Sequence, residues 1–406
     1  MTRQRLRVGV AGLGRAFALM LPTFTADPRV RLVACADPRT TATTCFASEF
    51  GARAYASVEA LCADPDVEVI YIATPHELHA EHVAIAAAQG KHVLVEKPMA
   101  ITLDQCRAMN EAVGRAGVQM VVGHSHSFDR PVARAREIIA AGTYGSVKMI
   151  HAQYYTDFLY RLRRPEELDS SRGGGAVLNQ GAHQVDIARL LGGGEVTSVR
   201  ALTGNWDPIR PVEGAYAALL TFANGAFASL TYSGYGHFDG DSLCDDVSEL
   251  GERRDALPYG AARARLAQYA DAEAEAAAKA DRSYGGSAPQ PMRGAPCATT
   301  DQDLRHQHFG FVVVSCERAD LRLLPDGIVI YSDDDIQREP LPKPTVPRSE
   351  VIDELYAAVI DGRAPLHDGR WGMATLEVCL AMLASACERR DVTPKEQVAV
   401  RDRRPA

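Results

Sequence analysis

Two groups of residues in this chain have types and spacing that suit proton transfer. The first is Glu96-Lys97-Pro98, which ends the apolar stretch 92–95. A lysine at the C-terminal end of a parallel strand can hold a substrate hydroxyl. It can also act as acid or base once burial or neighbouring positive charge lowers its pKa. A surface lysine beside a loop proline fits the same three residues, and Pro98 permits a cis Lys97–Pro98 bond. The second group lies in AVLNQGAHQVDIARLL, residues 176–191. Asn179, His183 and Asp186 are spaced i, i+4 and i+7, which places them on one stripe of a helix whose other positions are largely apolar. A histidine there can exchange a substrate hydroxyl proton near neutral pH. A core histidine hydrogen-bonded to Asn179 and Asp186 fits that pattern too.

A third group points to phosphate. LRVGVAGLGRAFALM, residues 6–20, reads as a buried strand, a glycine turn and the first turns of a helix. Gly12 and Gly14 let backbone N–H groups approach a pyrophosphate, and the helix N-terminus at Arg15 and Ala16 adds its positive dipole end. The next apolar run, 30–36, ends in Asp37, about 23 residues past Gly14, where a dinucleotide fold places a carboxylate for the adenosine ribose. The third position of the GxGxxG pattern is Phe17 rather than glycine, with small Ala16 and Ala18 beside it, and this predicts a helix that rotates or stands further from the strand.

These groups need rigid elements to place them. After Asp37 the chain reads as a helix over 40–50 closed by Gly51, a short helix over 57–63, and a strand over 67–73. Thr74, Pro75 and Glu77 have the spacing of a capping box opening a helix that runs to Gln89. A strand over 92–95, a helix opened by Thr102 and Gln105, and a strand over 118–122 complete an alternation that predicts a doubly wound parallel sheet, a Rossmann-type domain over 1–125. Beyond it, a helix over 130–141, a strand over 147–155, the helix over 176–191 and strands at 196–202, 215–222, 227–233, 310–316, 321–324 and 328–331 predict an α+β domain over 126–406 with a largely antiparallel sheet. Residues 239–305, with an alanine-rich helix over 261–280 and a Gly/Ser/Pro stretch over 283–296, read as an insertion or lid. Amphipathic helices over 350–360 and 374–388 close the chain.

The bulk composition narrows the class. The 406 residues suffice for two domains, and 46% hydrophobic with 24% charged residues is ordinary for a soluble globular protein. A net charge of −8 argues against nucleic acid and anionic membranes. Nine scattered cysteines without a CxxC pair fit a reduced, cytoplasmic protein and neither a disulfide framework nor a zinc site. Neither a signal peptide nor an apolar run of the ~18 residues of a membrane span is expected.

VGVAGLG near the start, ATPHELHAEHVAIAAAQGKHVLVEKPMA at 73–100 and GGGAVLNQGAHQVDIARLLGG at 173–193 resemble the oxidoreductases named after glucose–fructose oxidoreductase, inositol dehydrogenase and MocA. The resemblance implies an NAD(P)-binding Rossmann domain, a C-terminal open-faced sheet through which subunits form homo-oligomers, and Lys97 with His183 as the catalytic pair. It implies cofactor contacts from Gly12, Gly14, Arg15, Ala16, Asp37, Thr74, Pro75, His76, His79, Glu96 and Lys97. Many relatives carry Asp where this chain has Asn179, and Asn where it has His76. An asparagine can orient the imidazole but cannot stabilise an imidazolium, which raises the share Lys97 must carry.

GLGRAFALMLPTF, RRPEELDSSRGGG and the long insertion look most like the phthalate 4,5-cis-dihydrodiol dehydrogenases of that family. This implies oxidation of a carboxylated cyclic cis-diol, with a sugar or polyol dehydrogenase as the alternative. Asp37 should favour NAD over NADP, with Arg39 two residues on softening the preference. Arg161, Arg163, Arg164 and Arg172, immediately upstream of the His183 helix, form a candidate carboxylate clamp, with Asp186 a further substrate contact. Pairing of these arginines with Glu166, Glu167 and Asp169 is the competing reading for each of them.

Overall fold

The computed structural model describes residues 4–253, 260–287 and 304–401. The chain forms two compact units. One holds Met1–His124, Glu273–Thr300 and Val346–Met373; the other holds Ser125–Ala272, Asp301–Thr345 and Ala374–Ala406.

In the first unit six strands, β1 (Leu6–Ala11), β2 (Val30–Ala36), β3 (Arg53–Tyr55), β4 (Val69–Ile72), β5 (His92–Val95) and β6 (Met120–Val122), pair in the order β3-β2-β1-β4-β5-β6. Every pairing is parallel. This is the doubly wound order, and its ligand-binding edge lies at the C-terminal ends of β1, β4 and β5. The central strands are apolar throughout because both faces are covered; all four residues of β4 are buried. Helices α1 (Arg15–Ala26), α2 (Thr40–Phe50), α3 (Val58–Cys62), α4 (His79–Ala88) and α5 (Leu103–Ala116) supply the crossovers. Gly51 ends α2 in the left-handed region at φ +59°, and the box between Thr102 and Gln105 opens α5 with both of its hydrogen bonds. The expected box at Thr74 does not form. Pro75 instead caps a 3₁₀ turn, His76–Leu78, that leads into α4, while the Thr74 hydroxyl lies 2.9 Å from Nδ1 of His82.

In the second unit α6 (Arg130–Ala141) and β7 (Val147–Tyr155) precede α7 (Ala182–Gly192), followed by β8 (Val196–Gly204), β9 (Ala215–Phe222), β10 (Phe227–Ser233), β11 (Phe311–Cys316), β12 (Ala319–Leu324), β13 (Gly327–Ser332) and β14 (Ile336–Pro340). The eight strands run β14-β13-β12-β11-β7-β10-β9-β8, antiparallel except for the β7–β10 pair. Burial alternates along β9 and β10, so one face is core. The other face exposes Leu219, Phe227 and Met149, with Phe227 opposite Met149 in the β10–β7 register.

Three local readings change. The alanine-rich helix over 261–280 is two helices, α8 (Ala261–Leu266) and α9 (Ala272–Asp281). Helix 176–191 opens with a π-turn, Val177–Gly181, before α7 begins. The stretch read as one insertion divides between the units, with Tyr284 packed on α1 and α2 of the first. Residues 288–296 of that stretch lie outside the described residues. Helices α10 (Ser349–Val359) and α11 (Gly369–Glu388) complete the chain. By length and composition α11 could cross a membrane, but 67% of its apolar window is buried inside the protein, as in a core helix.

Candidate active site

The first unit brings the glycine turn and Asp37 together. Gly12 has φ +92°, and a Cβ there would stand 2.7 Å from Ala73 O and 3.0 Å from Thr74 N, so only glycine fits against the end of β4. Gly14 caps α1 without a side chain and has open space where its Cβ would be. Phosphate oxygens can therefore approach the first turn at Arg15 and Ala16. Phe17 is fully buried and points to α2, with its ring 5.7 Å from Phe46 and 5.1 Å from Tyr284. It fills a hydrophobic slot away from the glycine turn.

Asp37 accepts the Leu13 N–H at 2.7 Å through Oδ2 and the Arg39 N–H at 2.9 Å through Oδ1. The Arg39 guanidinium closes over both oxygens at 3.0 and 3.1 Å and also reaches Leu13 O and Tyr284 O. The carboxylate is 5% exposed and the guanidinium side chain 30%, so Arg39 covers Asp37 on its solvent side.

At the ends of β4 and β5 the structure places Thr74, Pro75, His76, His79, Glu96 and Lys97. His79 is completely buried and faces carbonyls on both sides: Nδ1 lies 3.1 Å from Pro98 O, and Nε2 lies 3.0 Å from Thr74 O. Burial lowers its pKa against these carbonyls. The ring is thus a strut joining two loops. His76 is half-buried, its ring 5.6 Å from that of His79. Glu96 directly follows β5. Its buried carboxylate accepts the Tyr71 phenol at 2.6 Å, and burial raises its pKa against the Tyr71 bond and the charge of Lys97. Lys97 is half-buried, and its bond to Pro98 is cis.

In the second unit His183 is buried, and its Nδ1 accepts the backbone N–H of His126 at 3.4 Å. With Nδ1 used as an acceptor, the neutral ring carries its proton on Nε2 and presents a donor. The His126 ring stands 4.6 Å from that of His183, and Phe309 packs on both at 5.1 and 4.7 Å. Tyr232 lies parallel to Phe309 (6.2 Å, 7°), and Tyr216 lies nearly parallel to Tyr232 (5.6 Å, 14°). The histidines therefore sit beside an aromatic wall. His126, Phe309, Tyr232 and Tyr216 were missed from sequence because they come from separate elements. Only the His-Ser-His-Ser run at 124–127 hinted at polar groups just past β6.

The polar stripe does not hold. Asn179 lies inside the π-turn, whose extra residue rotates it off the α-helical stripe, and its amide donates to Gly173 O and Gly175 O at 3.0 and 2.8 Å. Asn179 therefore pins the glycine loop. Asp186 is tied to two hydroxyls in the core. Oδ2 accepts the Ser127 hydroxyl at 2.5 Å and Oδ1 the Thr375 hydroxyl at 2.9 Å, and the side chain is buried.

Each of the four arginines faces a carboxylate. Arg164 and Arg172 reach Glu167 and Glu166 at 3.5 and 3.7 Å. Arg163 lies over the Phe158 ring at 3.8 Å, donates to Phe158 O and stands 3.8 Å from Glu167. Arg161 pairs with Asp157 at 2.8 Å and stands 3.6 Å from Glu249. The acidic residues between and beyond the arginines thus pair with them.

Comparison with known proteins places these features. Residues 6–124 match the oxidoreductase family with an NAD-binding Rossmann fold, and residues 132–243 match the GFO/IDH/MocA C-terminal domain. The chain is 47% identical over 379 residues to the 1-carboxy-3-chloro-3,4-dihydroxycyclohexa-1,5-diene dehydrogenase of Comamonas testosteroni, covering 93% of this chain and 94% of that one. It is 33% identical to the levoglucosan dehydrogenase of Pseudarthrobacter phenanthrenivorans over 237 residues, 55% of this chain and 60% of that one. The crystal structure of a Bordetella bronchiseptica RB50 protein, 41% identical, superposes with a TM-score of 0.88 over 96% of this chain and all of that one. The chain belongs to the GFO/IDH/MocA family of NAD-binding oxidoreductases.

Proposed function

We propose that this chain is a dehydrogenase that uses NAD to oxidise a carboxylated cyclic cis-diol, of the type of phthalate 4,5-cis-dihydrodiol giving 4,5-dihydroxyphthalate. The observation that carries this reading is the match along nearly the whole chain with the Comamonas enzyme, whose substrate is a carboxylated dihydroxycyclohexadiene. The flat wall of Phe309 and Tyr232 beside His183 suits a planar ring, which supports it further.

The residues present fit a dinucleotide. Gly12, Gly14 and the first turn at Arg15 and Ala16 would hold its pyrophosphate, and Asp37 with Arg39 its ribose. Thr74 and Pro75 would line the same strand edge. When bound, the nicotinamide would supply the acceptor for the carbinol hydrogen and its electron pair. Lys97, just past β5, is the candidate base for the hydroxyl proton, and in the second unit the Nε2–H of His183 is a candidate donor to a substrate oxygen. The resulting ring ketone tautomerises to a catechol, and aromatisation draws the oxidation forward.

We also infer a homo-oligomer joined through the outer face of the eight-stranded sheet. Leu219 at 55% and Phe227 at 45% exposure, with Met149 beside Phe227, support it. A reducing compartment such as the cytoplasm suits the eight free thiols among the described residues.

The test is turnover with NAD, followed by the absorbance of reduced nicotinamide, on phthalate dihydrodiol and a panel of sugars and inositols. Preference for the sugars would move the assignment to the polyol reading, which the levoglucosan relative represents. A tenfold higher kcat/KM with NADP would overturn the role given to Asp37.

A further inference from the structure

Arg39 has little left to donate. Its Nε–H meets Asp37 Oδ1 at 3.0 Å, and its Nη2 hydrogens meet Asp37 Oδ2 at 3.1 Å and Leu13 O at 2.8 Å. The longest of its bonds, 3.4 Å, runs from Nη1 to Tyr284 O. A guanidinium carries five N–H groups, so these four bonds leave a single hydrogen, on Nη1, among the described residues. Asp37 is just as full. With the N–H groups of Leu13 and Arg39 it accepts four donors, about as many as a carboxylate has lone pairs to offer. The pair therefore shows the solvent the edge of a neutralised guanidinium rather than a bare carboxylate.

The carbonyl that meets Nη1 comes from far along the chain and is firmly held. Tyr284 lies outside both stretches that match the family, 6–124 and 132–243, yet it belongs to the first unit and is 1% exposed. Its ring meets Phe17 edge-on at 5.1 Å and Phe46 at 6.2 Å, and its hydroxyl donates to Glu49 Oε2, on α2, at 2.6 Å. Gly285 follows at φ +74°, and a Cβ there would stand 2.6 Å from Ala42 Cα, so only glycine lets the chain lie this close to α2. Gly286 N donates to Ser283 O at 2.9 Å and Ser283 N to Ala280 O at 3.0 Å, which ties the turn to the end of α9. Helix α2 thus sets the turn, and the turn sets the carbonyl that Arg39 meets.

We propose that the Tyr284–Gly285 turn determines cofactor choice: its carbonyl locks Arg39 onto Asp37, leaving one N–H for a ribose hydroxyl and no fork for a 2′-phosphate. A hydroxyl needs one donor. A phosphomonoester carries about 1.5 to 2 negative charges on three acceptor oxygens, which an arginine meets well only when its fork is free. The Asp37 carboxylate directly behind the guanidinium cancels its charge and repels the phosphate. An arginine two residues past the acidic end of a strand can serve either cofactor, and the turn decides which. The inference rests on the reading of the glycine turn and Asp37 as an NAD site, and it moves the basis of the preference from Asp37 alone to a segment more than 200 residues further on, since Tyr284 stands 245 residues from Arg39.

The test titrates NAD and NADP calorimetrically into the full-length enzyme, with no diol present, and reads the ratio of the two dissociation constants. The wild type should hold NAD at least about tenfold more tightly. Gly285→Ala, which lifts the turn off α2, should tighten NADP and shrink that ratio about tenfold, the scale of one charge-assisted hydrogen bond. Tyr284→Phe keeps the ring, loses the bond to Glu49 and should shrink the ratio about threefold. In an Arg39→Met background Gly285→Ala should leave the ratio where Arg39→Met alone puts it, which a general loosening of the unit does not do. A ratio within twofold of wild type in Tyr284→Phe overturns the proposal, whether or not Gly285→Ala folds, and so does an effect of Gly285→Ala that survives Arg39→Met. If the wild type favours NAD and the variants keep its ratio, the NAD reading stands and the lock falls. If the wild type binds NADP as tightly as NAD, both fall.

Discussion

Replacing Asp186 by alanine should destabilise the protein sharply while leaving substrate affinity in the folded fraction unchanged. Asp186 accepts the hydroxyls of Ser127 and Thr375, and Thr375 in turn accepts Nη1 of Arg189 at 2.7 Å. Arg189 is fully buried, and its other donors reach Gly194 O, Gln397 Oε1 and Val398 O. Burial lowers the Arg189 pKa to about 10 against the pull of Asp186, so it remains a cation at neutral pH. Removing the carboxylate leaves two buried hydroxyls without their acceptor and a buried cation without its nearest charge. Breaking a buried pair in this way costs about 3–5 kcal/mol. At roughly 2–4 °C per kcal/mol for a unit of this size, Tm should fall by about 6–20 °C. Differential scanning calorimetry reads the loss, and Ser127→Ala should show a smaller one of about 1–3 kcal/mol. A Tm within 2 °C of wild type together with a tenfold higher KM would refute this account and return Asp186 to the substrate site.

Phe17→Ala should cost about 3–5 kcal/mol by emptying the slot between Phe46 and Tyr284, read as the shift in urea midpoint. Lys97→Met should lower kcat by roughly 10²–10⁴ with NADH binding retained by fluorescence titration. His183→Gln, which can still donate from a side-chain amide, should keep more activity than His183→Ala, and equal losses would remove the donor role given to Nε2. Burial opposes protonation of His126, yet Asp129 and Glu249 outweigh it and raise its pKa above that of a free histidine. The charged form is therefore favoured by folding. Its contribution is complete below about pH 6.5 and is lost as pH rises through the elevated folded value. Urea unfolding across that range should show this slope, and Asp129→Asn should flatten it.

Much of the first unit was legible because its signals are local. Gly12, Gly14, Gly51 and the Thr102–Gln105 box each act within a few residues of themselves, and apolar strands alternating with capped helices leave little choice of topology. The Thr74 box failed because Pro75 caps a 3₁₀ turn, so the residue spacing was right but the turn it served was different. The site in the second unit was read less well. The i, i+4, i+7 stripe presumes an unbroken α-helix, and a single π-turn moved Asn179 to the glycine loop. Asp186 holds the Ser127 and Thr375 hydroxyls, partners that lie far from it in sequence. The arginines were visible as a cluster together with Glu166 and Glu167, and Asp157 stands only four residues before Arg161, but no local pattern announces the long-range contact with Glu249. Phe309 and Tyr232 are distant in sequence and meet only through the sheet.

The most direct measurement of the central claim is the steady-state rate of NAD reduction by purified enzyme with a carboxylated cyclohexadiene cis-diol against scyllo-inositol and levoglucosan. The account predicts that kcat/KM for the carboxylated diol exceeds that for either polyol by at least about a hundredfold, with a catechol as product. Equal or faster oxidation of a polyol, or no catechol from the diol, would contradict it.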